Sequence, residues 1–107
     1  MGEEKIGLKI IWTQKANQQF NDVLDYWIER NKSNVYALKL IDETDDKLKF
    51  ISLHPLASVA TNHPNTKKCA MGNYSIVYKM SDDTIFVTAF WDNRQNPDKL
   101  EQILKRS

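Results

Sequence analysis

Two stretches with alternating side chains, joined by a short polar turn, constrain the fold of this chain more than any other feature. They cover residues 74–80 and 84–91, and the turn between them is Ser81-Asp82-Asp83. A period of two residues is typical of strands with one buried face, and so short a turn requires antiparallel pairing. One face of the first stretch is predicted to carry Tyr74, Ile76, Tyr78 and Met80. In the second, one face is predicted to carry Ile85, Val87, Ala89 and Trp91, and the other Thr84, Phe86, Thr88 and Phe90.

A third strand is predicted just before this hairpin, at residues 67–70. Gly72 and Asn73 follow it, and both residue types tolerate the positive φ of a tight turn. The three strands are therefore expected to form an antiparallel meander.

Two helices are predicted ahead of the meander. The first follows Thr13, a good N-cap, and its apolar residues recur at helical spacing. They are Ala16, Phe20, Val23, Leu24, Trp27 and Ile28. The second is predicted to start at a Ser33 cap and to end at about Leu53, because residues before Pro55 are pushed out of the helical region. So short a connector implies an antiparallel helical hairpin.

The remaining segments complete an α+β domain. Residues 8–12, LKIIW, predict a strand with apolar residues on both faces, and hence with neighbouring strands rather than an exposed edge. Residues 55–65 predict a surface loop, residues 1–7 a disordered tail, and the segment with Leu100, Ile103 and Leu104 a short C-terminal helix. The helical hairpin is expected to cover one face of the sheet and to leave the other partly open.

Composition excludes several classes of protein. A chain of 107 residues, 41% of them hydrophobic, predicts one domain spanning residues 1–107. The net charge of +1 provides no global attraction for nucleic acid, and no apolar run has the length of a membrane span. The single cysteine, Cys69, fits a reducing compartment, so we expect a cytoplasmic protein. No phosphate-binding loop or metal-ligand spacing is present, and no cofactor or metal is expected.

Residues 10–31, IIWTQKANQQFNDVLDYWIERN, and 74–100, YSIVYKMSDDTIFVTAFWDNRQNPDKL, resemble the two ends of RelE/ParE superfamily toxins. The order of elements also matches, and the resemblance covers about residues 9–100. It implies the toxin of a type II toxin–antitoxin module, often described as a plasmid stabilisation protein. A cognate antitoxin, encoded beside the toxin, would neutralise it through an extended or helical segment. An exposed apolar groove is expected for that segment, along the outer face of the helical hairpin and the edge at residues 8–12.

The resemblance leaves two toxic mechanisms open. RelE-like members cleave messenger RNA in the ribosomal A site without a metal, using basic residues and a late tyrosine as general acid. ParE-like members inhibit DNA gyrase and have no known hydrolytic site. Here Ser75 stands where the nuclease branch commonly has an arginine, and no tyrosine follows Tyr78. The sequence therefore favours a ParE-like inhibitor of a target such as gyrase. The alternatives are a ribosome-dependent endoribonuclease or a non-toxic member that only binds an antitoxin.

The candidate site residues lie in the C-terminal third. Lys68 and Arg94 are the candidates for catalysis, and they are predicted to converge at one end of the open face. Together with Lys79 and Trp91 they are also the candidates for binding. Asp92 lies close enough in sequence to pair with Arg94, which would weaken the use of that arginine on RNA.

Overall fold

The computed structural model describes residues 7–61 and 63–95. The ends of the first helix are set by its capping residues. Helix α1 (Gln14–Asn31) is capped by Thr13, whose Oγ1 accepts a hydrogen bond from the Ala16 amide at 3.1 Å. It ends at Lys32, which adopts a left-handed conformation with φ of 51°. The predicted N-terminal cap is confirmed.

The second helix, α2 (Val35–Leu53), follows after a three-residue connector. Its N-cap residue is Asn34, not Ser33, although the Ser33 Oγ accepts from the Val35 amide at 3.2 Å. At the other end the His54 amide donates to the Phe50 carbonyl at 2.8 Å. The helices pack together as the predicted antiparallel hairpin. Neither is long and apolar enough to cross a membrane.

Five strands among the described residues form one sheet. They are β1 (Lys9–Trp12), β2 (Val59–Ala60), β3 (Thr66–Met71), β4 (Tyr74–Met80) and β5 (Thr84–Asp92), in the spatial order β1-β5-β4-β3-β2. Strands β3, β4 and β5 pair antiparallel, so the predicted meander is confirmed. β1 runs parallel to β5, and the helical hairpin forms the crossover between them.

Two predictions about the sheet were wrong. The segment predicted as a loop contains the short strand β2, which pairs with β3. Within residues 7–61 and 63–95, β1 pairs only with β5 and lies at an edge, although both of its faces are apolar. Ile11, on the side away from the helices, is 40% exposed, so its apolar character does not reflect a covering layer.

The main core lies between the helices and one face of the sheet. Side chains from α1, α2 and all strands of the meander contribute to it: Ala16, Leu40, Leu48, Ile51, Cys69, Met71, Tyr74, Ile76, Tyr78, Ile85, Val87 and Phe90. We call the opposite face, which points away from α1 and α2, the far face. A smaller buried cluster of Val77, Ala89 and Trp91 lies on it.

A β-bulge in β5 changes which side chains reach each face. Tyr78 lies opposite Val87, but Val77 lies opposite Ala89, so Thr88 is the extra residue. Beyond this point the facing of β5 is reversed relative to a regular strand. Phe90 therefore joins the main core, and Trp91 turns to the far face. The predicted facing was right up to Val87 and wrong for Ala89, Phe90 and Trp91.

The start of β1 is tied to the last turn of α2. The Leu8 amide donates to the Ser52 carbonyl at 3.1 Å, and the Ser52 Oγ donates to the Leu8 carbonyl at 2.8 Å. A Cβ on Gly7 would collide with this Oγ, so the close approach requires glycine. The predicted C-terminal helix and the predicted tail, Gly7 apart, lie outside the described residues.

Candidate functional site

Lys68 and Lys79 share the far face. In the β3–β4 ladder Lys68 lies opposite Val77, and Lys79 lies opposite Thr66, so the two lysines are diagonal neighbours. Lys67 points to the helix side, where its Nζ donates to the Ser58 carbonyl at 3.5 Å. The alternation thus assigns Lys68, and not Lys67, to the far face.

A depression of about 430 Å³ lies beside Lys79. It is lined by Thr13, Lys15 from the first turn of α1, Lys79, Phe86 and Thr88. No acidic side chain lines it, and no ion pair within the described residues involves either lysine. The depression therefore combines two positive charges with the apolar side chain of Phe86, which suits an anionic partner with apolar groups.

Arg94 is held by a neighbouring carboxylate. Its Nε donates to Asp92 Oδ1 at 2.9 Å, its Nη2 donates to Asp92 Oδ2 at 2.8 Å, and its amide also donates to Oδ1 at 2.9 Å. The hydrogen bonds from Arg94 hold the pKa of the Asp92 carboxyl below its usual value, and the carboxylate raises the pKa of Arg94. The predicted pairing is confirmed, and it commits the Nε–Nη2 side of the guanidinium to a carboxylate in a bidentate contact.

The Arg94–Asp92 pair lies on the helix side of the sheet. It lines a depression of about 370 Å³ together with Asp22, Val23, Tyr26 and Tyr74. The Arg94 guanidinium carbon is 5.9 Å from the centre of the Tyr74 ring, which belongs to the main core. Lys68 is on the other face of the sheet. The expected convergence of Lys68 and Arg94 is therefore wrong, because the end of β5 carries Arg94 towards α1.

Ser75 is closed off from the surface. Its side chain is buried on the far face, and its Oγ donates to Asn93 Oδ1 at 2.7 Å. The Asn93 Nδ2 donates in turn to the Gly72 carbonyl at 3.2 Å. The position at which the nuclease branch commonly carries an arginine thus serves here to fix the turn between β3 and β4 against the end of β5.

Trp91 and Tyr78 are also buried. Trp91 is 4% exposed and packs in the far-face cluster. Burial raises the pKa of the Tyr78 phenol, whose hydroxyl donates to the Pro55 carbonyl at 2.7 Å on the helix side. Such a phenol is poorly placed to protonate a leaving group on a bound RNA. A binding role for Trp91 remains a prediction.

Two further features were not predicted from the sequence. Lys15 was not among the predicted site residues, and the packing of α1 against the sheet brings it to the same depression as Lys79. Gln19 projects onto the bulged strand, where its Oε1 accepts from the Phe90 amide at 3.0 Å. Among the described residues, no group of three or more histidine, cysteine, aspartate or glutamate side chains could hold a metal ion.

Fold and surface together define a small α+β protein with a helical hairpin on one face of its sheet and a lysine-lined depression at the other. The fold is similar to that of a chain in the solved structure described as the chromosomal ParDE TA system from P. aeruginosa, with a TM-score of 0.69 and 15% sequence identity. The alignment covers 79% of this chain and 95% of that chain. No curated protein sequence gives a significant match.

Family membership follows from the sequence match. Residues 10–97 match the family described as the ParE toxin of the type II toxin–antitoxin system, parDE. The chain belongs to this family, within the RelE/ParE superfamily. It is therefore the toxin component of a type II module, and its partner is a cognate antitoxin.

Proposed function

We propose that this toxin acts by binding and inhibiting a cytoplasmic target, with DNA gyrase as the leading candidate, and that it does not cleave RNA. One observation carries the choice: the two cations expected to act together, Lys68 and Arg94, lie on opposite faces of the sheet. We propose gyrase because ParE-like members of the superfamily inhibit it. A gyrase target also implies that the toxin acts in the cytoplasm.

Metal-independent RNA cleavage depends on positive charge preorganised around one phosphate. Arg94 is already neutralised by Asp92, and Ser75 supplies no charge. Lys68 and Lys79 remain on the far face, but a buried and hydrogen-bonded Tyr78 provides no general acid beside them. These features argue against a nuclease centre and leave a charged surface suited to binding.

The surface around Lys15 and Lys79 is the best candidate for contact with the target. Both lysines line the depression together with Phe86, so a docked partner would gain both ion pairs and apolar contact. Lys68 extends the positive charge along the same face. Charges in this arrangement raise the rate of association and select partners with acidic surfaces.

Gyrase supercoiling with purified toxin is the direct test. We expect inhibition by the wild-type toxin, and we expect Lys15→Ala/Lys79→Ala to weaken it at least tenfold. Lys39→Ala on exposed α2 removes a lysine away from the depression and is the matched control. Unimpaired supercoiling at saturating toxin would contradict the proposal.

Toeprinting of translating ribosomes tests the nuclease alternative. We expect no toxin-dependent cuts in the A site. Cuts that disappear in Lys68→Ala or Arg94→Ala, but persist in the surface control Arg30→Ala, would establish RNA cleavage instead. Normal growth on induction without the antitoxin would favour the non-toxic alternative.

A further inference from the structure

Charge is divided unequally between the two layers of this protein. Helices α1 and α2 carry seven acidic residues against five basic ones. Among the described residues, no strand position that points to the far face is acidic, because Asp92 turns with Arg94 to the helix side. The net charge of +1 is therefore the sum of a more acidic helical layer and a positive far face.

Four lysines lie on this face or beside it. Lys68 and Lys79 point to the far face, and Lys15 lines the depression beside Lys79. Lys9 is the fourth, because its neighbour Ile10 packs against the main core and successive side chains of a strand alternate. In the part of the chain that the structure describes, none of the four forms an ion pair. Their charges are therefore available to a partner.

The lysines are spread across the sheet and do not surround one point. Lys9 is on β1 and Lys68 is on β3, three strand spacings away, which is about 14 Å. One strand of B-DNA presents about four phosphates over that length. Asp82 and Asp83 lie in the turn next to Lys9, so Lys9 is expected to contribute less than the other lysines. Single charges spread over this length match a linear polyanion better than a compact anion.

We propose that the far face binds the phosphate backbone of the duplex DNA on which gyrase acts, so that the toxin contacts DNA as well as the enzyme in the inhibited complex. The inference rests on the proposed function, because gyrase inhibition is what brings the toxin to DNA. Lysines form ion pairs with phosphates but, unlike a bidentate arginine, do not read the base sequence. Binding is therefore independent of sequence, and because it releases counterions it weakens steeply with salt.

The aromatic residues of the far face favour a duplex over a single strand. Proteins that bind single strands stack the bases on exposed aromatic rings. Here Trp91 is 4% exposed and Phe86 is half-buried, whereas the exposed rings of Tyr26 and Phe50 belong to the helices. Within the described residues, the far face thus offers charge for a phosphate backbone but no open ring for a base.

Fluorescence anisotropy with purified toxin and a labelled duplex of arbitrary sequence tests the proposal without gyrase. Between about 50 and 200 mM salt, we expect the logarithm of the association constant to fall linearly with the logarithm of the salt concentration, with a slope of about −3. Lys15→Ala, Lys68→Ala and Lys79→Ala should each reduce the magnitude of that slope by about 0.9. Lys39→Ala, which removes the same charge from α2, is the matched control and should leave the slope unchanged.

Three results of this measurement would overturn the proposal. They are no binding at the lowest salt, an equal reduction in slope by Lys39→Ala, and tighter binding of a single-stranded RNA of the same length. The last result would assign the far face to RNA and support the nuclease alternative. Inhibition of supercoiling without duplex binding would contradict this inference alone. Duplex binding without inhibition would contradict only the gyrase target.

Photo-crosslinking in the complex of toxin, gyrase and DNA locates the contact. Ala70 is exposed on the far face two residues from Lys68, so Ala70→Cys accepts a thiol-reactive photo-crosslinker without loss of a lysine. Cys69 is buried, and Leu38→Cys on the exposed surface of α2 is the matched control. We expect crosslinks to DNA from position 70 and none from position 38. Crosslinks from position 70 to gyrase subunits alone would show that the far face contacts protein, which would contradict the proposal.

Discussion

The hydrogen bond from the Phe90 amide to Gln19 is expected to stabilise the bulged end of β5. β1 ends opposite Val87, so β5 continues past its parallel neighbour. The Phe90 amide then lacks a strand partner on that side, and the Gln19 Oε1 accepts its hydrogen bond at 3.0 Å. Phe90 is only 3% exposed, so loss of the acceptor would leave its amide buried and unsatisfied.

Gln19→Met removes the acceptor while nearly preserving side-chain length and helix propensity. An unsatisfied buried amide costs about 1–3 kcal/mol of unfolding free energy. Because the Gln19–Phe90 hydrogen bond is only partly buried, we expect a loss in the lower part of this range, about 1–2 kcal/mol. For a domain near this size, that corresponds to a fall in melting temperature of roughly 5–10 °C.

Gln18→Met is the matched control for urea unfolding. Gln18 is exposed, and within the described part of the chain its side chain bonds only to Asp22 Oδ1, at 2.9 Å on the helix surface. Its replacement should cost at most about 0.5 kcal/mol. In exchange measurements, the Phe90 amide should lose protection in Gln19→Met alone. If both variants unfold at the same urea concentration, the role assigned to Gln19 is wrong.

The other expected outcomes concern three surfaces. Arg94→Gln should raise the pKa of Asp92 towards its ordinary value of 3.8, as measured by NMR titration. Because the folded-state pKa of Asp92 is depressed, the Arg94–Asp92 pair stabilises the protein fully above pH 3.8. This stabilisation is lost as the pH falls through the folded-state pKa. An unchanged Asp92 titration would contradict the pairing. Gly7→Ala should displace the Ser52 hydroxyl and cost about 1 kcal/mol in urea unfolding, and full stability would contradict the close approach. Lys79→Glu should weaken gyrase inhibition more than tenfold without changing antitoxin affinity, and equal inhibition by the variant would remove the depression from the target contact.

The elements themselves could be predicted because their signals are local. The Thr13 cap, the helical spacing and the tight turn at Gly72 each act within a few residues, and each was found where expected. The position of β1 depends instead on pairing with a strand far along the chain. Alternation cannot distinguish an edge strand with an exposed Ile11 from a strand that is covered on both faces.

The bulge explains most of the errors at the candidate site. Residues 87–91, VTAFW, have large apolar side chains at both odd and even positions. A shift of one residue therefore still places apolar side chains on the buried face, and the sequence pattern does not reveal the shift. The shift exchanges Phe90 with Trp91 between the faces. It also precedes Asp92 and Arg94, which then lie beside α1 instead of near Lys68. A site predicted from strand parity therefore fails beyond the bulge, whereas Lys68, on a strand without an extra residue, lies on the face opposite the helices as expected.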